Sequence, residues 1–154
     1  MEQMKIKKVQ PHAILPLRAT EGSAGMDLHA CLTEPVTLAA GQRTLIPSGI
    51  AIALPSPAYV ALIFARSGLA IKHGIALSNG VGVIDSDYRG EIKIGMVNLS
   101  DTDYTIQPGE SIAQMAVLPV CCLPVEICDD LGATARGDGG FGSTGKGLNI
   151  REEN

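Results

Sequence analysis

The chain has 154 residues, a formal net charge of −4 at pH 7 and 45% hydrophobic residues, which favours a single globular domain. The acidic balance argues against a general nucleic-acid surface, so an anionic ligand would need a local basic or backbone site. With no Trp and only 3% aromatic residues, the core is expected to consist of Val, Ile, Leu, Ala and Met.

Glycine, proline and cysteine indicate the fold class and the compartment. Eighteen Gly and nine Pro are typical of many short strands joined by tight turns. The four Cys form no CxxC pair and have no matching His spacing, so we expect free thiols in a reducing compartment and no zinc site. No leader and no apolar run near ~20 residues is visible, so we expect a cytoplasmic protein that does not span a membrane.

Two strands are predicted near the start of the chain. Lys and apolar residues alternate at the beginning of residues 4–17, which predicts a strand with one wet face, although Pro11 and Pro16 prevent pairing throughout. Residues 24–30 alternate as a second strand, with Asp27 on the face away from the apolar side chains. Asp27 is either a solvated strand residue or a functional acid, because acids are depleted in strands.

The middle of the chain adds strands and a candidate anion contact. Residues 36–52 predict two strands, and residues 59–64 predict an apolar strand that leads into Arg66-Ser67-Gly68. A guanidinium, a hydroxyl and a flexible glycine at a strand end suit a phosphate, although an isolated tripeptide of this kind is usually a surface turn. Residues 69–72 predict one turn of helix.

Residues 79–97 predict a hairpin that carries the most promising acid. A strand pattern is followed by a tight turn with Asp85, Asp87 and Tyr88, and then by an alternating strand at residues 92–97. Asp85 follows an apolar run, a setting in which partial desolvation tunes a general base. Alternatively, both aspartates are ordinary turn formers, since Asp bonds its own backbone in turns.

The last third of the chain contains one more strand and a glycine-rich arm. Residues 111–117 predict a buried strand whose amide, Gln114, either satisfies a core partner or points into a cleft. Residues 129–154 change composition, and the half-glycine stretch at 136–147 predicts either a flexible arm without a role or an anion clamp of amides, hydroxyls and cations. The numerous short strands favour a β-sandwich or jelly roll over residues 1–128.

Five segments follow one another along the chain: AGMDLHA at 24–30, RSG at 66–68, NGVGVIDSDYRGE at 79–91, PGESIAQM at 108–115 and RGDGGFGSTG at 136–145. Together they resemble the five ordered motifs of the trimeric deoxyuridine triphosphatase (dUTPase) family, over nearly the whole chain. Ala65 stands where many members have Pro, and Ser111 stands where many have Arg or Lys. Neither departure removes a group that the chemistry needs. Within the third segment, Asp87 and Arg89 fit structural or interface roles.

The resemblance implies an all-β, jelly-roll-like domain that forms a homotrimer with active sites at the subunit interfaces. The arm at 129–154 would close over a neighbouring subunit's site. The reaction would be the hydrolysis of dUTP to dUMP and pyrophosphate, which keeps uracil out of DNA and supplies dUMP for thymidylate synthesis. Two alternatives are a dCTP deaminase, which shares this fold, and a nucleotide-binding module without catalysis. The hairpin sequence and the intact Asp85 favour the hydrolase.

The resemblance also implies a role for each candidate residue. Asp85 would activate the water that attacks the α-phosphorus, and Tyr88 would pack under the deoxyribose and exclude a 2′-hydroxyl. Asp27 and Gln114 would contact Mg²⁺ through its water shell, with the ion held mainly by substrate phosphates. The other candidates would bind the substrate's phosphates or uracil: Arg66, Ser67, Gly68, Asn79, Val83, Ile84, Lys93, Arg136, Phe141, Gly142, Ser143 and Thr144.

Overall fold

The computed structural model describes residues 2–140, which contain eleven strands and one short helix. The predicted all-β class is therefore confirmed. The strands are β1 (Lys5–Lys8), β2 (Met26–His29), β3 (Val36–Leu38), β4 (Arg43–Pro47), β5 (Ile50–Ala53), β6 (Tyr59–Ala65), β7 (Ile75–Leu77), β8 (Gly82–Ile84), β9 (Lys93–Asn98), β10 (Tyr104–Ile106) and β11 (Ser111–Pro119), and the helix is α1 (Ser67–His73).

The strands of the described residues pair antiparallel in four small sheets. The largest has the order β2-β11-β6-β8, and a second has the order β4-β9-β7. Two further sheets each hold one pair, β1 with β5 and β3 with β10. In the largest sheet, Gln114 of β11 stands opposite Asp27 on one side and opposite Phe64 on the other. This register brings three strands of the predicted site side by side.

The predicted hairpin at residues 79–97 is wrong. β8 pairs with β6, whereas β9 lies between β4 and β7 in a different sheet. The segment at 85–92 therefore connects two sheets. Alternating patterns predicted both strands correctly, but alternation identifies a strand's buried face and not its hydrogen-bonding partner.

Residues 36–52 form β3, β4 and the start of β5, one strand more than predicted. In the turn that follows β4, Gly49 has a φ of 70° that side-chain-bearing residues rarely adopt. A Cβ at Gly49 would lie 2.5 Å from Cys31 Sγ and 2.6 Å from Ala13 Cβ. This turn is therefore fixed both by its backbone conformation and by close packing.

Helix α1 begins at Ser67, two residues before the predicted turn, and ends at His73. Gly74 closes it with a φ of 68° and donates its N–H to Ala70 O at 3.1 Å. The early start has a consequence for the predicted anion contact. Ser67 and Gly68 belong to the first helical turn, whose N–H groups have no partner within the helix.

The buried core of the first unit consists mainly of Ile, Leu, Ala and Met side chains, as predicted, together with Cys31. Within the described residues, Val contributes only partly buried side chains such as Val36 and Val117. Every residue of this core lies between Ala13 and Met115. The strands thus complete their core before the glycine-rich arm begins.

Asn98, at the end of β9, is fully buried and its side chain makes four hydrogen bonds. Its Nδ2 donates to Leu38 O at 2.9 Å and to Thr102 O at 2.8 Å. Its Oδ1 accepts from Ser100 N at 3.0 Å and from Ser100 Oγ at 2.8 Å. One side chain therefore satisfies the backbone groups of the loop that follows β9.

We expect Asn98→Ala to lower the free energy of unfolding by about 2–4 kcal/mol, because buried carbonyls lose their donors. Urea unfolding at one fixed protein concentration measures the change. Asp101→Ala is the matched control, since Asp101 is exposed in the same loop. It is expected to change stability by no more than about 0.5 kcal/mol. Equal stability of the two variants would contradict this role of Asn98.

The chain divides into two units, Met1–Cys122 and Leu123–Asn154. The described part of the second unit, residues 123–140, has no helix or strand and is mostly exposed. Among residues 2–140, all four cysteines are free and no helix is long and apolar enough to cross a membrane. The predicted boundary at residues 128 and 129, the cytoplasmic location and the absence of a nucleic-acid partner stay predictions.

Candidate functional site

Asp27, Arg66, Ser67, Gly68 and Gln114 form one candidate group, the Arg66 cluster. Arg66 directly follows β6, and its Nη2 lies 3.4 Å from Asp27 Oδ2. Its Nη1 donates to Ser111 O at 3.0 Å. The Arg66 and Asp27 side chains are 40% and 37% exposed, so their ion pair adds little stability and both groups stay accessible to a ligand.

Ala65 and Ser111, the two departures from the family motifs, contribute backbone carbonyls and not side chains to the contacts of this cluster. Ser111 accepts from Arg66 through its backbone carbonyl, and Ala65 accepts from Gln114 Nε2 through its carbonyl at 3.2 Å. Both bonds are independent of the side chain at those positions. The cluster thus keeps its geometry with Ala65 and Ser111 in place.

The side-chain amide of Gln114 is half-buried, and its nitrogen and oxygen have different neighbours. Its Nε2 donates to Ala65 O. Its Oε1 faces Gly25, where an added Cβ would lie only 3.0 Å from this oxygen. Gly25 therefore leaves the room that this oxygen occupies. Together with the neighbouring carboxylate of Asp27, it supplies two oxygen donors, the type that Mg²⁺ prefers.

A complete metal cage is absent from the part of the chain that the structure describes. No group of three or more His, Cys, Asp or Glu side chains there is arranged to hold a metal ion. Two oxygens fit a Mg²⁺ that keeps several waters and takes its other ligands from a substrate. The residues present therefore fit the predicted arrangement of Asp27 and Gln114.

Asn79, Val83, Ile84, Asp85, Tyr88 and Lys93 form a second group, the Asp85 cluster, around β8 and the start of β9. A cavity of about 420 Å³ is lined by Asp85, Tyr88, Val83, Ile84 and Lys93, among others. A neighbouring cavity of about 200 Å³ shares three of these residues and adds Asn79. The structure thus brings together all six predicted residues of this group.

Glycines shape the smaller cavity. A Cβ at Gly82 would lie 3.0 Å from Ile63 Cβ, and a Cβ at Gly95 would lie 2.5 Å from Ser78 Oγ. The turn between β7 and β8 closes with a hydrogen bond from Gly80 N to Leu77 O at 3.1 Å. Gly82 and Gly95 therefore permit the close packing beside this cavity, because an added Cβ at either position would crowd a neighbouring side chain.

Asp85 is exposed in a single copy, so its own chain does not supply the predicted partial desolvation of its carboxylate. The apolar residues before it do not cover it, because β8 directs Val83 outward and leaves that side chain 60% exposed. The turn itself is well ordered by hydrogen bonds. Tyr88 N donates to Asp85 O at 3.2 Å, and Arg89 Nη1 donates to Ser86 O at 2.7 Å. The latter bond fits the structural role predicted for Arg89.

The two clusters lie towards opposite ends of β6. Ile84 pairs with Ala61, near the beginning of the strand, whereas Arg66 follows its last residue. Arg66 lies five positions beyond Ala61, which corresponds to roughly 17 Å along a strand. Asp85 continues beyond Ile84, away from Arg66. Within one copy of the chain, the two clusters therefore do not form a single pocket.

The arm residues form a third predicted group, of which only Arg136 lies within the described residues. Its Nε donates to Gly139 O at 3.0 Å in an exposed turn. Phe141, Gly142, Ser143 and Thr144 lie outside the described residues. Their predicted roles stay predictions.

Sequence reasoning assigned no role to several residues around the Asp85 cluster. Leu45, Glu91 and Ile92 also line the larger cavity, and Glu91 Oε1 accepts from Gly49 N at 2.9 Å. Leu45 comes from a strand far away in sequence, so no local pattern indicates it. Glu91 is the last residue of the third motif, and that position is the local signal that indicates it.

Two pKa shifts concern residues away from both clusters. Burial, followed by a hydrogen bond to Glu110, raises the pKa of Tyr104 to about 12. Burial, with a contribution from Glu91, raises the pKa of the Cys31 thiol. Both shifts favour the protonated forms of Tyr104 and Cys31 at neutral pH.

Comparisons with known proteins identify relatives along nearly the whole chain. A model of the dUTPase family matches residues 11–145. The deoxyuridine 5′-triphosphate nucleotidohydrolase of Hahella chejuensis is 55% identical over 131 residues, which are 85% of this chain and 86% of that protein. The enzyme of that name from Burkholderia lata is 50% identical over 143 residues, which are 93% of this chain and 97% of that protein.

Solved structures agree with the fold. The dUTPase of Staphylococcus bacteriophage 80alpha with dUPNHPP has a TM-score of 0.85 and 25% identity, and the match covers 95% of this chain and 100% of that chain. A mutant dUTPase of S. aureus phage phi11, studied for its structural Mg(II) ion, has a TM-score of 0.75 at 22% identity, over 84% of this chain and 98% of that chain. The likenesses confirm the predicted jelly-roll-like fold.

Proposed function

The chain belongs to the dUTPase family and hydrolyses dUTP to dUMP and pyrophosphate, and from this premise we propose that each active site combines the clusters of two copies. The Arg66 cluster of one copy would bind the phosphates. The Asp85 cluster of its neighbour would bind the nucleoside and activate water. Three copies would close into a ring with three equivalent sites, the closed symmetry that a head-to-tail contact allows.

The separation of the clusters along β6 carries this proposal. In-line attack requires the water, its base and the bound phosphate within a few ångströms of one another. Roughly 17 Å of strand lies between Arg66 and the residue opposite Ile84, so one copy cannot meet that requirement. Neither group is covered by its own chain, since Asp85, Arg66 and Asp27 all remain exposed to at least a third of their surface.

Asp85 supplies the base in this proposal. Its carboxylate accepts a proton from a water molecule as the water oxygen attacks the α-phosphorus. The bond from the α-phosphorus to the bridging oxygen breaks, and pyrophosphate leaves with the bond's electrons. An exposed carboxylate becomes a better base once a neighbouring copy and the substrate exclude bulk water around it.

The Arg66 cluster stabilises charge on the departing pyrophosphate. The guanidinium of Arg66 can exchange its weak pair with Asp27 for phosphate oxygens, and the free N–H groups at the start of α1 add donors from Ser67 and Gly68. Asp27 and Gln114 would hold Mg²⁺ through its waters. When bound, the ion would neutralise charge on the phosphate chain.

The Asp85 cluster supplies substrate selection. The narrow cavity beside Asn79 would receive uracil, and backbone groups there would read its edge. A base with the opposite donor and acceptor pattern leaves buried polar groups unpaired, which is costly. The ring of Tyr88 borders the larger cavity and would pack against the deoxyribose, leaving no room for a 2′-hydroxyl.

The arm completes the site in this proposal. Arg136 would bind the γ-phosphate, Phe141 would stack on uracil, and Gly142, Ser143 and Thr144 would add hydrogen-bond donors from a neighbouring copy. Arg136 is exposed, and within residues 2–140 its guanidinium makes one local bond, to Gly139 O.

Mixing two inactive variants tests whether copies share a site. Asp85→Asn and Arg66→Gln chains are each expected to be almost inactive alone. In trimers formed by co-refolding equal amounts, about a quarter of the sites would receive Asp85 from one parent and Arg66 from the other. We therefore expect about a quarter of wild-type pyrophosphate release from the mixture.

The matched control replaces one parent with a chain carrying both substitutions. Co-refolded with Asp85→Asn, that chain provides no intact Asp85, so activity stays at background. Light scattering on each mixture tests for three chains per particle. Recovery no greater than in the control, from particles of mixed composition, contradicts a shared site.

A further inference from the structure

The loop that carries Tyr88 is attached to a buried turn. Ser48, 2% exposed, donates both its N–H, at 3.1 Å, and its hydroxyl, at 2.5 Å, to Ile92 O. Ile92 N donates to Ile50 O at 2.9 Å, and Gly49 N donates to Glu91 Oε1 at 2.9 Å. Four hydrogen bonds therefore fix the end of the 85–92 segment to the turn between β4 and β5.

The Tyr88 ring lies against this fixed end. Its hydroxyl donates to Glu91 O at 3.1 Å, and the ring passes over Gly90 so closely that an added Cβ would lie 2.5 Å from Tyr88 Cζ. Real Cβ atoms do not approach carbon so closely, and Tyr88 is 44% exposed, so the ring is the part that would move. Gly90 is thus the residue that permits this ring position.

We propose that Gly90 and Glu91 are positioning residues that hold the Tyr88 ring where it discriminates deoxyribose from ribose. Gly90 has no side chain that would obstruct the ring. Glu91 connects the ring to the buried turn through its hydrogen bond with Gly49. The inference rests on the proposed function, in which Tyr88 packs against the sugar. It adds that selectivity depends on two residues that need not touch the substrate.

The connection explains why an exposed aromatic side chain can act as a steric filter. A surface tyrosine that is free to rotate would move aside for one additional hydroxyl group at little cost. A ring fixed at its hydroxyl and packed on the backbone resists that movement. The rigidity that lets the Tyr88 ring discriminate between the two sugars therefore depends on the buried turn at Ser48 and Gly49. Glu91 connects this turn to Tyr88.

Gly90→Ala tests the packing half of the proposal. The added methyl group displaces the ring, so we expect the ratio of kcat/KM for dUTP to kcat/KM for UTP to fall by about tenfold or more. The value for dUTP falls while the value for UTP holds or rises. A merely structural defect would lower both values by one factor. Gly22→Ala is the matched control, because an added Cβ at exposed Gly22 meets nothing within 4 Å.

Glu91→Leu and Glu91→Gln test the connection to Gly49 and remain informative if Gly90→Ala does not fold. Leucine removes the acceptor of Gly49 N, so the dUTP-to-UTP ratio is expected to fall by about threefold to tenfold. The amide oxygen of glutamine still accepts this bond, so the wild-type ratio is expected to return.

An unchanged ratio in Gly90→Ala or Glu91→Leu would overturn the positioning role. The proposed division of the site between copies would survive that result, because the mixing experiment measures it separately. Conversely, if the mixing experiment failed, the dUTP-to-UTP ratios of the Gly90 and Glu91 variants would still decide the positioning role. Each of these enzymes contains a single kind of chain, so its ratio does not depend on mixing.

Discussion

Asp85→Asn is expected to bind dUTP as the wild type does but to hydrolyse it about 10²–10⁴ times more slowly, because the amide keeps the shape of the carboxylate and loses its basicity. Equilibrium binding of dUTP and single-turnover release of pyrophosphate measure the two effects separately. Asp85 is exposed, so the variant is expected to fold normally.

Asp87→Asn is the matched control for this prediction. Asp87 is also exposed, lies two residues further along the same loop and carries the same charge. Its substitution is expected to leave turnover within about twofold of wild type, since no role in proton transfer is assigned to it. Near-normal turnover in Asp85→Asn would contradict the assignment of Asp85 as the base. An equal loss in Asp87→Asn would show that the loop's charge and not a specific base matters.

Deleting residues 136–154 is expected to leave a folded protein whose kcat/KM for dUTP is lower by about 10²-fold or more. The removed part includes Arg136 and the candidate donors Ser143 and Thr144, and the loss of one transition-state donor alone typically costs that much. The fold is expected to persist because, within residues 2–140, the buried core residues lie between Ala13 and Met115. Thermal melting and steady-state kinetics on the same preparation provide both measurements.

A shorter deletion distinguishes the loss of the arm's candidate residues from the shortening of the chain itself. Removing only residues 146–154 leaves every candidate residue in place, and the dUTPase family model also ends at residue 145. This variant is expected to retain at least about half of the wild-type activity. Two results would contradict a purely functional arm: unfolding of the longer deletion, or full activity without residues 136–154.

Local sequence patterns predicted most elements, and the family resemblance supplied the residues of both clusters. Apolar runs identified β6 and β11 within a residue or two, and Gly74, with a positive φ, closes α1 just after the predicted turn. The Arg66 cluster followed from the motif order, and the register of β2, β11 and β6 shows how Asp27 and Gln114 come to face one another. These features depend on neighbours in sequence or on whole motifs.

The features that sequence reasoning missed depend on contacts between distant segments. β8 and β9 have the pattern of a hairpin, yet they pair with β6 and with β4 and β7, because tertiary packing selects strand partners. The exposure of Asp85 also depends on what surrounds the loop in space. Likewise, the bond from Gly49 to Glu91 joins residues 42 positions apart, and no local rule indicates it.

The length of β6 has a consequence for how the enzyme comes into use. A newly synthesised copy can complete its own core, yet in this proposal it carries two half-sites towards opposite ends of one strand. Folding and the onset of catalysis would then be separate events, and the second would wait for collisions between finished copies. Cells that make few copies would thus experience a delay set by encounter frequency and not by the speed of folding.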